Sequence, residues 1–270
     1  MLQTAKTISI IILVTLLLLL FKKPVEWALN YYTDYTLHNH FLAGIISRLP
    51  IIALAIYLIR RFGFQRINGF YPQGLRLRNL QALIIPFGIV IAAGYSKHEV
   101  YRAAEPGLLA LFALSVLVIG IAEECLFRGV ILPLIVRSRA EKKSAVLVAV
   151  LLSSVLFGLI HYFNLISQPH NFSGVSSQVI FAFSLGVVFA GLFIRVENIL
   201  PIALFHGVLN FAFGSGQLRE AAEKAPADYS PDTGSLIAGL VLYGIIIAAG
   251  IVMTQLSDRQ HVVDKVRSNS

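Results

Sequence analysis

Long apolar segments joined by short polar connections dominate the pattern of this chain. A helix needs about 20 largely apolar residues to cross a bilayer, and by that measure the pattern predicts eight spans. The third and seventh are short, and the fourth is long enough to be tilted or kinked. The predicted spans are residues 5–21, 41–59, 80–95, 107–136, 144–164, 177–194, 198–213 and 235–256. We therefore expect an all-α, polytopic transmembrane helix bundle.

The composition supports lipid as the solvent of this chain. Of its 270 residues, 57% are hydrophobic and 13% are charged, whereas about a quarter of the residues of a soluble domain are charged. The single Cys125 excludes an internal disulfide framework and a metal site made of cysteines alone. We divide the chain into an N-terminal transmembrane region (1–100), a core (105–215), and a last loop, span and tail (216–270).

The positions of the basic residues predict the orientation. If both termini are cytoplasmic, fourteen of the 22 Lys and Arg lie on the cytoplasmic side, among them Lys6 at the very start of the first span, and six lie on the external side. The other two, Arg48 and Arg128, fall deeper within spans. This excess matches the positive-inside rule and contact with anionic headgroups, so we expect no nucleic-acid partner. The first apolar run is followed by Phe21-Lys22-Lys23-Pro24 and not by the small residues of a signal-peptide cleavage site. This favours a retained anchor over a signal peptide. We expect a multi-pass protein, in the plasma (inner) membrane if the source is prokaryotic.

Charged side chains inside a bilayer are costly, so those of the fourth span need an explanation. Glu124 and Arg128 are four residues apart, share a helix face and can pair. Glu123 is rotated by about 100° from Glu124, so Arg128 cannot serve both carboxylates equally. Burial away from water would suit the carboxyl that Arg128 does not pair to act as a general base or acid. Alternatively, the ion pair only fixes helix packing.

Two later spans carry the remaining intramembrane polar groups. His161 and His206 are the only two of seven histidines within predicted spans, and Asn210 lies one turn after His206. Each could simply bridge neighbouring helices, and His206 with Asn210 could also bind a metal ion or donate to an oxyanion. Polar positions on three separate helices can nevertheless converge in a bundle core, as catalytic sites do. His161 falls near the outer end of its span and His206 near mid-depth, so their relative depth is open.

The three motifs together resemble a known family. EExxxR (Glu123, Glu124, Arg128), FxxxH (Phe157, His161) and HxxxN (His206, Asn210) are similar in order and spacing to those of the CAAX-processing and bacteriocin-protection family of intramembrane proteases. This family includes the Ras-converting CAAX endopeptidase. The resemblance covers roughly residues 105–215 and leaves the first hundred residues unmatched.

The resemblance implies an endopeptidase that cleaves a peptide bond near or within the membrane. It assigns Glu123 as general base and His161 as its partner in activating water, with His206 and Asn210 stabilising the oxyanion. It makes Glu124 and Arg128 an orienting pair, and we add Phe157 as a substrate-binding residue. The expected substrate is a membrane protein or peptide, which is prenylated in a true CAAX enzyme.

The cofactor and the class of protein remain open at this stage. The chain lacks HExxH, but Glu123, His161 and His206 could hold one divalent ion such as zinc with an open position; a metal-free glutamate mechanism fits equally. A non-catalytic scaffold or bacteriocin-immunity protein of the same fold is the main alternative. A proton-coupled transporter is a further one, without the paired broken helices typical of such proteins.

Overall fold

The structure is a computed structural model that describes residues 2–32, 36–71, 74–75, 79–218 and 233–267, and these are mostly helical. The strands in this part of the chain are the antiparallel pair β1 (Phe70–Tyr71) and β2 (Gly74–Leu75). The predicted all-α class is therefore confirmed apart from this small hairpin. The helices are α1 (Leu2–Leu20), α2 (Lys22–Tyr32), α3 (Leu37–Arg61), α4 (Ile84–Tyr95), α5 (His98–Ala103), α6 (Pro106–Leu126), α7 (Leu132–Ser138), α8 (Ala145–Ile160), α9 (Phe172–Val196), α10 (Ile199–Phe213), α11 (Thr233–Gln255) and α12 (Arg259–Arg267).

Six helical segments among the described residues are long and apolar enough to cross a membrane. They are Leu2–Tyr31, Leu37–Arg61, Pro106–Ser138, Ala145–Ile166, Phe172–Val196 and Ile237–Gln255. Two shorter apolar helices, Leu80–Tyr95 and Ile199–Phe213, lie where the sequence predicts the short third and seventh spans. The chain is thus an integral membrane protein by its helices, while the count of eight spans and the cytoplasmic termini stay predictions.

Side-chain caps start the helices that later carry the site. The Glu105 carboxylate accepts hydrogen bonds from the backbone N–H groups of Gly107 (2.7 Å) and Leu108 (2.6 Å) at the start of α6. Asn171 caps α9 and Asn198 caps α10 in the same way. The first N–H groups of a helix have no partner within it, so these side chains fix where each helix begins.

The predicted long fourth span is one helix interrupted by a π turn. Helix α6 ends at Leu126, residues 127–131 form the π turn, and α7 follows directly. Such single π turns occur often at functional sites. Here the turn carries Arg128 and begins at Phe127, three residues after Glu124.

Helix α6 packs most extensively against α10 and α3, and α9 packs against α8 and α11. At the crossing of α6 and α10, a Cβ on Gly120 would lie 2.9 Å from both Ala203 O and Gly207 N, so only glycine permits this approach. Glu124 lies one turn after Gly120 on the same helix. The close crossing therefore places the glutamate pair beside His206.

Candidate active site

A cavity of about 490 Å³ brings the three sequence motifs together. Glu123 from α6, His161 from the end of α8, and His206 and Asn210 from α10 all line it. Helix α8 ends at Ile160, and His161 begins a 3₁₀ turn. The different depths expected from the span boundaries thus do not keep these residues apart.

A fully buried ion-pair network lies directly beneath the cavity. Arg128 Nη1 donates to Glu124 Oε1 at 2.9 Å, so the predicted pair is present, and Arg128 Nη2 donates to the backbone oxygen of Gly186 at 3.1 Å. His206 Nδ1 lies 2.8 Å from the same Glu124 Oε1. Glu124 and Arg128 are 0% and 1% exposed. Because two cationic or donor groups converge on one desolvated carboxylate, Glu124 holds His206 in a single orientation.

The two adjacent glutamates occupy different environments. The Glu123 side chain is 26% exposed and faces the cavity, whereas that of Glu124 is inaccessible. This separation follows from the rotation of about 100° between neighbouring helix positions. Glu123 is consequently the carboxylate that water and a substrate can reach.

His206 stands between the two carboxylates. Its Nε2 lies 3.7 Å from Glu123 Oε2, which is too long for a direct hydrogen bond. If Nδ1 donates to Glu124, Nε2 of the neutral ring can accept a hydrogen bond from a water, and Nε2 of the doubly protonated ring can donate to Glu123, to a water or to a substrate oxygen.

His161 is oriented by the backbone of its own helix. Its Nδ1 lies 2.8 Å from the carbonyl oxygen of Phe157. A carbonyl oxygen only accepts hydrogen bonds, so Nδ1 carries the proton, and in the neutral ring Nε2 holds the lone pair. His161 and Glu123 form no direct ion pair, but both line the cavity.

Phe157 lies below the cavity and is 1% exposed. Its ring has the Arg128 guanidinium 4.3 Å from its centroid and contacts the rings of His161 and His206 edge-on, at 5.1 and 6.0 Å. In this structure Phe157 supports the charged and imidazole groups of the site. Its predicted contact with substrate stays a prediction.

The three predicted metal ligands do not form one ligand group in this arrangement. Among the described residues, no group of three or more His, Cys, Asp or Glu side chains is placed to hold a metal ion. Zinc would need each donor atom at about 2.0–2.2 Å. The donors are not gathered around one point, so the arrangement does not fit a metal held by these three residues.

Sequence reasoning missed two contributors to the site. Phe189 on α9 packs its ring 4.8 Å from that of His206 and 5.3 Å from the Arg128 guanidinium, but it belongs to an apolar helix without any motif. The N-terminal helices α2 and α3 contribute three further lining residues, Lys22, Lys23 and Arg48. The one indication of this second group was that Arg48 falls within a predicted span.

Helices crossing at glycine, an interior ion-pair network and a glutamate facing a cavity define a membrane-embedded protein with a candidate hydrolytic site. Comparison with protein families gives a match for residues 105–212, to the Rce1-like family of type II CAAX prenyl endopeptidases. This segment is therefore similar to that family, which is the resemblance that the three motifs predicted. The family implies a hydrolase of the CAAX-protease type. Comparisons with curated proteins and with solved structures gave no match.

Proposed function

We propose that the chain is an intramembrane endopeptidase that hydrolyses a peptide bond of a membrane-associated or lipidated protein with water activated by Glu123. One observation carries the proposal: residues from three helices of the family segment, Glu123, His161 and His206 with Asn210, line a single cavity. The prenyl group named in the family description makes a prenylated C-terminal segment the first substrate to test.

The reaction begins with the carboxylate of Glu123 taking a proton from a water in the cavity. The resulting hydroxide attacks the carbonyl carbon of the scissile bond and forms a tetrahedral intermediate. The proton then passes to the leaving amine, directly from Glu123 or through the Nε2 lone pair of His161, and the C–N bond breaks. Water is consumed, and the products are one new carboxyl group and one new amine.

His206 and Asn210 are the donors proposed for the oxyanion of that intermediate. Asn210 lines the cavity one turn after His206 and offers a side-chain N–H. When both nitrogens of His206 are protonated, Nδ1–H donates to Glu124 and Nε2–H points into the site. Donors fixed before the reaction stabilise a developing negative charge without reorganisation, and this fixing is the role of the Glu124–Arg128 pair.

The test compares the C-termini of membrane-protein fragments in cells that express the wild type, Glu123→Gln or Glu99→Gln at equal abundance. Glu99 is an exposed carboxylate on α5, outside the cavity, and serves as the matched control. New termini in or beside apolar segments should appear with the wild type and Glu99→Gln and disappear with Glu123→Gln. Identical sets of termini in all three would overturn the proposal and favour a non-catalytic scaffold.

A further inference from the structure

The part of the cavity that α2 and α3 line is cationic. Lys22 and Lys23 at the start of α2 and Arg48 in α3 line the same cavity as Glu123. Glu123 is the one carboxylate among the described lining residues. Three cations facing one anion leave this part of the cavity with an excess of positive charge.

Arg48 is the least satisfied of these cations. Its Nη1 donates to Ser47 Oγ at 3.0 Å. Its Nε is buried without a hydrogen-bond partner among the described residues. Arg128 also has a buried Nε without a partner, but its charge is paired with Glu124, whereas Arg48 forms no ion pair with any described residue. A buried guanidinium without an ion pair is costly, so Arg48 indicates an anion that is absent from the structure.

The carboxylates near Lys22, Lys23 and Arg48 offset only part of their positive charge: Glu26 attracts Lys22, and Glu123 attracts Arg48. Glu26 Oε1 lies 2.7 Å from His40 Nδ1, and His40 Nε2 lies 3.2 Å from Lys22 Nζ, so Glu26 is already held by that chain of contacts. Glu123 attracts Arg48 electrostatically, but Arg48 forms no direct ion pair with it. The remaining positive charge therefore indicates that the cavity binds an anion next to Arg48, close to the site of hydrolysis.

We propose that Arg48, supported by Lys22 and Lys23, binds a carboxylate of the substrate and so sets the distance from that carboxylate to the bond that is cut. This inference rests on the proposed function. The guanidinium fork matches a carboxylate in two parallel hydrogen bonds. The apolar lining beside it, including Leu19, Leu20 and Phe213, suits an extended apolar peptide. The charged residues proposed to select the substrate thus come from α2 and α3, outside the segment that matches the family.

We take the C-terminal carboxylate, rather than an acidic side chain, as the group that Arg48 binds. A terminal group can enter a cavity from one end, whereas an internal Asp or Glu requires the chain to pass through. A lipid phosphate is the competing anion, and the binding experiment distinguishes it from the peptide.

The experiment measures binding and cleavage separately, in nanodiscs. The probe is a fluorescently labelled peptide with a farnesylated cysteine four residues from its C-terminus, made as the free acid, as the C-terminal amide, and as an amide with one internal glutamate. Wild type, Arg48→Gln, Arg48→Lys and the control Arg60→Gln are compared. Arg60 is exposed on the same helix and lies outside the cavity.

We expect the wild type and Arg60→Gln to bind the acid about 10- to 100-fold more tightly than the amide, as expected for loss of a hydrogen bond between charged groups. Arg48→Gln should bind both equally, at the affinity of the amide, and Arg48→Lys should recover part of the preference. In cleavage the change should appear in KM. Preference for the internal glutamate over the terminal acid would assign the site to an acidic side chain and overturn the terminal form of the proposal.

Three results would overturn the inference as a whole. The first is equal binding of acid and amide by the wild type, or no binding of either. The second is an equal loss for acid and amide in Arg48→Gln, which would mean that Arg48 acts through Glu123. The third is loss of the preference for the free acid when the nanodisc lipid is phosphatidylglycerol in place of phosphatidylcholine. That result would assign the site to a lipid headgroup. Selective binding without cleavage would instead contradict only the proposed endopeptidase.

Discussion

The family wall of the cavity (Glu123, His161, His206 and Asn210, with the Glu124–Arg128 pair behind them) and the N-terminal wall (Lys22, Lys23 and Arg48) differ in how their charged side chains are held. Behind the family wall, Arg128 is 1% exposed and contacts Glu124, the Gly186 carbonyl and the face of Phe157. On the N-terminal wall, Arg48 donates to Ser47 and forms no ion pair with any described residue. Each guanidinium has a buried Nε without a partner, so the ion pair with Glu124 is what distinguishes Arg128. A guanidinium paired with a carboxylate maintains the geometry of a site, whereas one without an ion pair is available to an anionic ligand.

The burial of whole helices separates only part of the N-terminal wall from the family wall. Two-thirds of the apolar window of α9 is buried within the protein, against 17% for the N-terminal segment Leu2–Tyr31, which carries Lys22 and Lys23. The window of α3, which carries Arg48, is buried to 39%, as is that of the segment Ala145–Ile166, which carries His161. The two lysines thus lie on a segment that is largely left to lipid, whereas Arg48 lies on a helix packed as well as one of the family wall.

The largest stability effect should come from Arg128→Met. Removing the guanidinium leaves Glu124 as a buried charge without its cationic partner, at a cost of about 3–5 kcal/mol. Arg48→Met should be close to neutral or stabilising, because it replaces a poorly satisfied charge with an apolar side chain. Thermal unfolding in detergent measures both. Equal destabilisation by the two substitutions would erase the contrast between the walls.

Asn210→Ala should act on the rate rather than on stability. Loss of one oxyanion donor lowers kcat by about 10²–10³-fold in comparable sites. Gln217 also lines the cavity with a carboxamide but has no proposed role, so Gln217→Ala is the matched control. If Asn210→Ala and Gln217→Ala lose the same amount of activity, Asn210 is not an oxyanion donor.

Gly120→Ala tests the close crossing that positions the family wall. The added methyl would meet backbone atoms of Ala203 and Gly207 at 2.9 Å, so we expect a loss of about 1–3 kcal/mol through overpacking. Gly88 on α4 has open space at the corresponding position, and Gly88→Ala should be neutral or slightly stabilising. The thermal midpoint of Gly120→Ala should therefore fall below that of the wild type, whereas that of Gly88→Ala should stay equal or rise slightly. Equal midpoints would mean that α6 and α10 have room to separate.

The smallest effect concerns the cap of α6. The N–H groups of Gly107 and Leu108 hold the pKa of Glu105 below its usual value. A carboxyl with a lowered folded pKa contributes stability above its unfolded pKa and loses it as pH falls through the folded pKa. The thermal midpoint of wild type should exceed that of Glu105→Gln at neutral pH, and the difference should vanish in acid. A difference that is constant with pH would rule out the ionised cap as its cause.

Sequence reasoning predicted the helices and much of the family wall because both depend on local patterns. Apolar length predicted each long helix, and the spacing of Glu124 and Arg128 predicted their pair. The contact of His206 with Glu124 could not be predicted, since it depends on how closely α6 and α10 cross at Gly120. The N-terminal wall was not predicted for a similar reason, because nothing in the sequence around Arg48 indicates which helix its side chain faces.

The rate of peptide hydrolysis by purified Glu123→Gln, with Glu99→Gln as control, tests the central claim most directly. The substitution keeps the size of the side chain and removes its ability to accept a proton from water. With a substrate identified by its new termini, or with the farnesylated peptide, we expect a loss of about 10²–10⁴-fold for Glu123→Gln. Glu99→Gln should match the wild type. Hydrolysis by Glu123→Gln at the wild-type rate would contradict the assignment of Glu123 as the base.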